Sequence, residues 1–303
     1  MIKTTVTIGI PAYNEEANIK SLILSVLKQD SRTYILEKII VVVDACTDKT
    51  IEEVMSIKDK KITVIINRER KGKAFGLNVI AKNSSTEILV QLDADILIRD
   101  KRTLEKLIEP ILLKGADLTS ARVKEYWATS KFEQVLKISM LLKKEIFEHL
   151  NKGNNIYTCH GRARAMSKNL YKDMVFVPTI VAEDAFSYLY AIANGYKYIF
   201  ASKANVHYRL PRTLADHKKQ SVRFFNSYKQ LKKIFGEELI RSEARIPRKI
   251  ALRYAMKYIL RYPITLFLYV CILAKMKINA RVERMTTSTW SVSKSSKSFK
   301  TLL

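Results

Sequence analysis

The sequence is poor in residues that break or cross-link a chain. Its 303 residues include only 8 Gly, 6 Pro and 3 Cys. So little Gly and Pro argues against long disordered linkers. The cysteines are widely spaced and form no CxxC pair, which argues against a disulfide framework or a zinc site and favours a reducing compartment. The segment MIKTTVTIGIPAYNEE reaches acidic residues before any apolar run of signal length, so we expect no secretory signal and a cytoplasmic location.

Acidic residues are also scarce. The chain has 29 Asp and Glu against 54 Lys and Arg, for a formal net charge of +25. Such an excess attracts polyanions, whether nucleic acid, an anionic lipid surface or a phosphorylated substrate. The basic excess is concentrated in the second half, whereas most acidic motif residues lie in the first. The distribution of charge is therefore more informative than its sum.

The first 120 residues alternate β-branched runs with helical stretches. We predict strands at residues 4–10, 38–43, 62–67 and 87–92, and helices at residues 15–28, 48–57 and 72–82. This alternation predicts an α/β fold with a parallel sheet and right-handed crossovers, whose ligands bind beyond the carboxyl ends of the strands. Three polar clusters follow strands directly and are expected to meet at that edge: residues 11–16, 44–48 and 93–95.

The rest of the chain divides by composition. A helix at 132–150, a polar and basic segment at 153–165, a helix at 184–193 and short strands near 198–200 and 205–208 complete the prediction for a catalytic domain. We place that domain at residues 1–210, followed by basic amphipathic helices at 211–280. Residues 281–303 are rich in Ser, Thr and Lys and are predicted to form a flexible basic tail.

Asp93 and Asp95 form a DxD motif at the end of a predicted strand. Residues i and i+2 of a strand point to the same side, so their mutual repulsion invites a divalent cation. Carboxylate oxygens suit Mg²⁺ or Mn²⁺, which can neutralise charge on a leaving nucleoside diphosphate. A solvated acidic turn is the alternative, but the position after LVQL favours a metal site. His207 is a further candidate ligand, with an ordinary hydrogen-bonded histidine as the alternative.

The two other clusters offer groups for a nucleoside. Asp44 follows the apolar run IIVVV, and its carboxylate can accept from a base N–H or a ribose hydroxyl. We expect Asp48 mainly to cap the next helix. In the segment PAYNEE, the Tyr13 ring can lie against a base while Glu15 accepts from a sugar or base donor. A plain loop followed by a helix start is the alternative explanation.

Two further segments offer a phosphate contact and a general base. Lys73 lies in a Lys-Gly-Lys turn at a helix start, where it can contact phosphate or form a solvated basic turn. No GxxxxGK[ST] loop is present, which disfavours kinase or ATPase chemistry. Glu183 and Asp184 open a helical stretch, where a carboxylate is ordinarily a cap. In an inverting sugar transfer, one carboxylate must instead remove the proton of the acceptor hydroxyl.

Five short motifs then occur in a telling order: IPAYNEE at 10–16, VVVDACTD at 41–48, a GK…LN segment ending at 78, QLDAD at 91–95 and AED at 182–184. With these motifs the chain resembles glycosyltransferase family 2, inverting enzymes of GT-A fold, over roughly residues 4–210. The resemblance implies a Rossmann-like, mainly parallel sheet and transfer of a sugar from a metal-bound nucleotide-sugar. A UDP-sugar donor and a cell-surface glycan or lipid-linked acceptor are the expected partners.

The resemblance also assigns roles to residues. Nucleotide contacts are implied for four of them: Pro11, Tyr13, Glu15 and Asp44. Asp93 and Asp95 would flank the metal and the diphosphate, with Asp95 as the direct metal ligand. Asp184 would be the catalytic base. Gly161 and Arg164 are expected in a loop that shapes the donor-sugar and acceptor side.

The segment QSVRF at 220–224 looks like the QxxRW motif of the family's membrane-bound polysaccharide synthases. There the Trp helps to bind the growing polymer, and here Phe224 replaces it. This departure, together with the lack of several long hydrophobic spans, argues against processive polymer synthesis. Gln220 and Arg223, like Glu183, are candidates to hold donor or acceptor groups. A basic solvated helix is the alternative for the QSVRF segment.

The predicted C-terminal helices are basic and apolar at once. Four cations recur every four residues and so share one side of a helix: Lys249, Arg253, Lys257 and Arg261. The uncharged segment 262–274 has only 13 residues. A helical span needs about 20. We therefore expect an interfacial helix attracted to anionic lipid, with the protein peripheral on the cytoplasmic face of a membrane. Packing on the catalytic domain or on a second copy, and a transmembrane helix, are the alternatives.

Two other classes of protein fit the sequence less well. A sugar-1-phosphate nucleotidyltransferase has a similar sheet but needs a Gly-rich GGxGTR-type loop, where this chain has PAYNEE. A non-catalytic nucleic-acid-binding protein would place Lys, Arg and aromatic residues at the site edge. This chain places carboxylates there, which repel a phosphate backbone, so no nucleic-acid partner is expected.

Overall fold

A computed structural model describes residues 3–282, without the side chains of residues 222–226 and 276–282. The strands of this part of the chain are β1 Thr4–Ala12, β2 Tyr34–Asp44, β3 Ile62–Asn67, β4 Ile88–Leu92, β5 Ile96–Leu97, β6 Leu118–Glu125, β7 Ala163–Ser167 and β8 Tyr198–Tyr208. Its α-helices are α1 Ile19–Leu27, α2 Thr50–Met55, α3 Lys73–Lys82, α4 Thr103–Lys114, α5 Lys131–His149, α6 Lys168–Asp173, α7 Glu183–Ala193, α8 Leu214–Phe235, α9 Glu237–Glu243, α10 Arg248–Arg261 and α11 Pro263–Val282.

All of these strands belong to one mixed sheet with the order β3-β2-β1-β4-β7-β6-β8-β5. The first four strands of the chain pair in parallel, as the sequence predicts. Strand β7 lies antiparallel between β4 and β6, and β5 lies antiparallel beside β8. The insertion of β7 matters for the site, because it brings the segment before β7 next to the DxD motif: the N–H of Asp93 donates to the Arg162 carbonyl at 2.9 Å.

Both faces of the sheet are covered by helices. In β2, Val41 and Val43 pack into a cluster with α1 and α4, while Ile40 and Val42 pack into a second cluster with α3 and α7. Alternate residues of a strand point to opposite faces, so a strand that is buried on both sides reads as a continuous apolar run. This is the physical reason for the IIVVV segment.

The predicted elements of the first half are confirmed with shifted ends. Helix α1 begins at Ile19 rather than at residue 15, because residues 13–18 form a loop that is hydrogen-bonded to the loop after β2. The two predicted short strands near 198–200 and 205–208 are one strand, β8, whose register against β6 shifts between Ala121 and Arg122. Five of these strands and α-helices were not predicted: β5, β6, β7, α4 and α6.

The C-terminal helices pack against the rest of the molecule. The Tyr157 hydroxyl donates to the Ala244 carbonyl at 2.7 Å, and the Tyr188 hydroxyl donates to Glu243 Oε2 at 2.7 Å. None of the described helices combines the length and apolarity that crossing a bilayer requires. Of the predicted basic tail at 281–303, the first two residues end α11 and the others lie outside the described residues. The domain boundary after residue 210 stays a prediction.

Candidate functional site

The loops after β1 and β2 are joined by side-chain hydrogen bonds. Asn14 Nδ2 donates to Thr47 Oγ1 at 3.2 Å, and the Thr47 N–H donates to Asn14 Oδ1 at 2.9 Å. The Glu15 N–H donates to Thr50 Oγ1 at 2.7 Å. Asn14 has a φ of 51°, a left-handed conformation that asparagine tolerates better than most residues. The two polar clusters predicted to share an edge of the sheet are thus in direct contact.

Asp44 organises the turn that opens α3. Its Oδ1 accepts from the Lys71 N–H at 2.9 Å, and its Oδ2 accepts from the Gly72 N–H at 2.8 Å. Gly72 has a φ of 89°, which favours glycine at this position. Oδ1 also accepts from Asn67 Nδ2 at 3.4 Å, whereas Oδ2 has one donor and can accept a second, so Asp44 remains able to bind a nucleoside donor. Asp48 accepts from the N–H of Thr50, the first residue of α2, at 3.0 Å, but the N-cap of this helix is Lys49 and not Asp48 as predicted.

The Tyr13 ring, which is predicted to lie against the nucleotide base, is stacked with a cationic side chain. The guanidinium Cζ of Arg70 lies 3.8 Å from the centre of the Tyr13 ring. A guanidinium that stacks on tyrosine is attracted by the negative face of the ring. Arg70 is thus a neighbour of the predicted nucleoside site that the motifs did not identify. Pro11 lies at the end of β1 and is half-buried, and Glu15 is buried, with its Oε2 accepting from Asn18 at 3.0 Å.

Lys73 is the centre of the site. Its Nζ lies 2.6 Å from Asp93 Oδ1 and also forms an ion pair with Glu183. A Cβ added to Gly161 would lie 2.9 Å from Glu183 Oε1 and 3.4 Å from Lys73 Nζ, so a larger residue here would displace the Glu183 carboxylate from its present position. The segments that follow β3 and β4, the loop before β7 and the start of α7 therefore meet at one place. Asp184 is next to this cluster, since its Cβ lies 3.4 Å from the position that a Cβ on Gly161 would take.

The charges of this cluster shift one another's proton affinities. Burial lowers the pKa of Lys73, but the carboxylates of Asp93 and Glu183 outweigh that effect and raise it. Burial also raises the pKa of Asp93, and Asp95 and Glu183 add to the rise while Lys73 opposes it. The ammonium of Lys73 therefore stays charged and partly neutralises a site in which carboxylates crowd together.

The DxD pair fits a divalent cation that is shared with a ligand. No hydrogen bond or ion pair within the described residues engages the Asp95 carboxylate, whereas Asp93 is paired with Lys73. No three Asp, Glu, His or Cys side chains in the described part of the chain group together as a metal cluster. Mg²⁺ is commonly held by one or two carboxylates, with water and substrate phosphates as its other ligands. Asp95, with Asp93, suits that mode of binding.

Arg162 is a site residue that the motifs missed. Its guanidinium Cζ lies 3.8 Å from the centre of the Tyr208 ring. Burial lowers the pKa of Arg162, but Tyr208 and the carboxylates of Asp95, Asp93 and Asp184 outweigh it and raise that pKa. Arg162 thus lies within the field of both the DxD pair and the predicted base. The only signal in the sequence was the basic segment that contains it, because its position depends on the insertion of β7.

Arg164 corrects one prediction. It lies in β7 rather than in a loop, and its side chain is completely buried. One guanidinium nitrogen donates to the Glu183 carbonyl at 2.9 Å and to Ser187 Oγ at 2.7 Å, and the other donates to Gln91 Oε1 at 3.0 Å. Both terminal nitrogens of this buried guanidinium thus have partners within the protein, whereas its Nε has no hydrogen-bond partner among the described residues. Arg164 therefore fixes the start of α7 to β4, and its predicted role on the donor-sugar and acceptor side stays a prediction.

His207 does not complete a metal site with Asp93 and Asp95. It lies in β8, opposite Leu97 of β5, and no such three-residue cluster exists within the described residues. Burial lowers the pKa of His207, and so do its cationic neighbours Arg99 and Lys124. The described residues thus supply no three-residue metal cluster that includes His207, and its predicted role as a metal ligand stays a prediction.

Gln220, predicted as a ligand contact, lies half-buried on α8. The side chains of Arg223 and Phe224 lie outside the described residues, so the role predicted for Arg223 stays a prediction.

A Rossmann-like sheet whose loops bring carboxylates and cations together at one edge is the architecture of a GT-A glycosyltransferase. A family model described as glycosyl transferase family 2 matches residues 7–175, and a second, described as glycosyl transferase family group 2, matches residues 149–293. The first match covers more than half of the chain. The chain therefore belongs to glycosyltransferase family 2, which confirms the resemblance seen in the motifs.

Individual relatives are more distant. The chain is 36% identical over 90 residues to the UDP-Glc:alpha-D-GlcNAc-diphosphoundecaprenol beta-1,3-glucosyltransferase WfgD of Escherichia coli. This alignment covers 30% of the chain and 34% of that protein, so it spans about a third of the relative's length.

Solved structures are similar over more of the chain. The mannosyltransferase PcManGT from Pyrobaculum calidifontis, in complex with GDP-Man and Mn²⁺, superposes with a TM-score of 0.60 at 18% identity, covering 94% of this chain and 77% of that one. Glucosyl-3-phosphoglycerate synthase from Mycobacterium tuberculosis, with Mn²⁺, UDP-Glc and phosphoglyceric acid, gives 0.53 at 17% identity, covering 77% and 80%. At these identities the likeness establishes the GT-A fold alone.

Proposed function

We propose that this glycosyltransferase moves a sugar from a nucleotide-sugar, held with Mg²⁺ or Mn²⁺, to an acceptor hydroxyl with inversion at the anomeric carbon. The observation that carries the proposal is the meeting of Lys73, Asp93 and Glu183 beside Gly161 and Asp184. Side chains that could act on a diphosphate, Lys73 and Asp93, thus lie close to Asp184, which could accept a proton. These residues come from distant parts of the chain.

The donor side consists of the loops after β1 to β4. Asp95, with Asp93, would hold the ion, which when bound would neutralise negative charge on the departing diphosphate. Lys73 and Arg162 are cations at the same edge and would attract the donor phosphates. Tyr13, Glu15 and Asp44 would hold the nucleoside, as their motifs predict. A UDP-sugar is the first donor to test, since WfgD is named for the use of UDP-Glc.

Asp184 is the proposed base. It lies at the start of α7, half-buried, with its Oδ1 accepting from the N–H of Ala185 at 2.8 Å. Its second oxygen would take the proton of the acceptor hydroxyl as that oxygen bonds to the anomeric carbon. The bond from the anomeric carbon to the diphosphate oxygen breaks, and its electron pair leaves with the nucleoside diphosphate. Attack from the opposite face inverts the configuration and needs no covalent enzyme intermediate.

A lipid-linked glycan is the proposed acceptor. Two observations support it. WfgD is named for a diphosphoundecaprenol-linked acceptor, and the C-terminal helices of this chain are basic and partly apolar. Neither observation concerns the donor, so the identity of the acceptor can be tested independently of the identity of the donor.

The donor test is calorimetric titration of UDP-, GDP- and dTDP-sugars with and without Mn²⁺. We expect at least one donor to bind in a metal-dependent way, and Asp95→Ala to weaken it by about 100-fold or more, since it removes a metal ligand outright. Asp100→Asn is the matched control, because Asp100 is a nearby acid that pairs with Lys106 at the surface. Metal-independent binding that Asp95→Ala leaves unchanged would contradict the proposal.

The base test separates binding from chemistry. Asp184→Asn removes the proton acceptor while keeping the size of the side chain. We expect unchanged donor affinity and a transfer rate lower by about 10²–10⁴-fold, the usual contribution of general base catalysis. Turnover equal to that of the unaltered enzyme would remove Asp184 from the mechanism. The anomeric configuration of the product, compared with that of the donor, shows whether the sugar is transferred with inversion.

A further inference from the structure

Helices α10 and α11 each present apolar side chains to solvent, and we call these exposed positions together the outer face. Its members are Leu252, Met256, Ile259 and Leu260 of α10, and Ile264, Phe267, Leu268 and Val270 of α11. The α10 residues follow the i, i+4, i+7, i+8 spacing of a single helix side. The exposure is large: 82% for Leu260 and 74% for Ile264, which flank the junction of the two helices.

The opposite sides of these helices are attached to the catalytic domain. Tyr254 and Tyr258 of α10, like Tyr269 of α11, are buried. The Tyr258 hydroxyl donates to Glu145 Oε1 of α5 at 3.0 Å, and Lys143 of α5 donates to the Tyr269 hydroxyl at 2.6 Å. Each helix therefore has one side that packs and one that does not. The outer face is therefore not the side of these helices that packs on the catalytic domain.

The charge around the outer face has one sign. Residues 248–282 contain eight Lys and Arg and no Asp or Glu. Five of these cations lie on α10 and are exposed: Arg248, Lys249, Arg253, Lys257 and Arg261. Apolar side chains flanked by cations are the composition of helices that lie in the interfacial layer of an anionic membrane.

Other exposed apolar residues of the molecule differ in arrangement. Met55, Leu113 and Val175 are exposed but lie on separate elements, which is normal for a folded protein. Association of the outer face with a second copy of the chain would bring two sets of cations together without any acidic partner in these helices. That like-charge juxtaposition is unfavourable. Charge complementarity therefore favours an anionic lipid surface over self-association.

We infer that the outer face docks onto a bilayer that contains anionic lipid. The helices lie along the surface, the apolar side chains enter the boundary between headgroups and acyl chains, and Arg248, Lys249, Arg253 and Arg261 contact lipid phosphates. This inference goes beyond the proposed function and does not rest on it. It gives the catalytic domain a fixed attachment to a membrane, through the contacts of α5 with α10 and α11.

The test is co-sedimentation of the full chain with vesicles of phosphatidylcholine alone or with added phosphatidylglycerol. We expect binding to the anionic vesicles and at least tenfold weaker binding to the neutral ones. The double variant Leu260→Glu and Ile264→Glu should lower binding to anionic vesicles by at least tenfold. Leu113→Glu with Val175→Glu is the matched control, because it adds the same charge at exposed apolar positions elsewhere. Circular dichroism should show equal helix content in all of these proteins.

Two results would overturn the inference. The first is an equal loss of vesicle binding in both double variants, which would make net charge alone the cause. The second is a dimer in sedimentation velocity that Leu260→Glu with Ile264→Glu converts to a monomer, with no vesicle binding by the unaltered chain. That outcome would assign the outer face to a second copy.

Discussion

The carboxylate-lined edge of the sheet and the C-terminal helices use charge in opposite ways. At the edge, Lys73 is paired with Asp93 and Glu183, and Arg162 lies in the field of three carboxylates. On α10 and α11, cations are exposed and these helices contain no acidic residue, although Lys257 pairs with Glu145 of α5. Charge is compensated where side chains must be held in place for chemistry. On the exposed side of α10 it is mostly uncompensated, since among the described residues Arg248, Lys249, Arg253 and Arg261 have no ion-pair partner.

This difference has a consequence for stability. Buried charges that are paired inside the protein cost several kcal/mol when one partner is removed, whereas exposed pairs contribute about 0–1 kcal/mol. Substitutions at the edge should therefore destabilise the fold as well as impair binding. Substitutions on the C-terminal helices should leave the fold almost unchanged.

The largest expected effect on stability is that of Arg164→Met. It removes the donors to the Glu183 carbonyl, Ser187 and Gln91, all of them buried. We expect the free energy of unfolding, measured with urea, to fall by about 3 kcal/mol or more. The control is Arg122→Met, whose guanidinium pairs with Glu148 on a partly exposed surface and should cost about 1 kcal/mol or less. Equal losses in the two variants would contradict the assignment of Arg164 as a buried structural bridge.

A smaller effect should come from the coupling between Lys73 and Glu183. Lys73→Met leaves the carboxylates of Asp93 and Glu183 without their shared cation, so it should destabilise the protein. Adding Glu183→Gln removes one of these charges and should recover part of the loss. We expect a coupling of about 1–3 kcal/mol in a double-mutant cycle of unfolding free energies without donor or metal. Strict additivity of the two changes would mean that the ion pair does not hold the site together.

The smallest effect should be found at the attachment of α10. Burial raises the pKa of Glu145, but hydrogen bonds from Lys257 and Tyr258 outweigh it and lower that pKa. A carboxyl whose pKa is lowered by folding stabilises the protein above its unfolded pKa, and this contribution is lost as the pH falls through the folded value. Because Lys257 is exposed, Glu145→Gln should cost less than about 1 kcal/mol at pH 7.

The pH dependence provides the check on that attachment. The difference in unfolding free energy between the unaltered chain and Glu145→Gln should shrink as the pH falls below the ordinary value of 4.5 for this carboxyl. A difference that stays constant with pH would mean that the charge of Glu145 does not stabilise α10. If Glu145→Gln lowered the unfolding free energy as much as Arg164→Met, the two regions would not differ in how strongly their charges stabilise the fold.

Local patterns were sufficient for the first four strands and failed where strands pair out of order. Runs of β-branched apolar residues identified β1 to β4, because strands covered on both faces must be apolar throughout. The polar segment at 153–165 was predicted without a strand, yet its end forms β7, which lies between β4 and β6. Arg164 reads as a surface residue in sequence, since the partners that allow its burial lie up to 73 residues away.

The sequence by itself determined the order of the carboxylate-bearing loops, the family and the basic character of the last helices. These properties follow from composition and from short motifs, which nearby residues are enough to define. Only the tertiary structure decided that Lys73 meets Glu183 across 110 residues and that Arg162 lies beside the DxD pair. An ion pair depends on where two distant segments are brought by the packing of the sheet, and no local pattern of residues encodes that position.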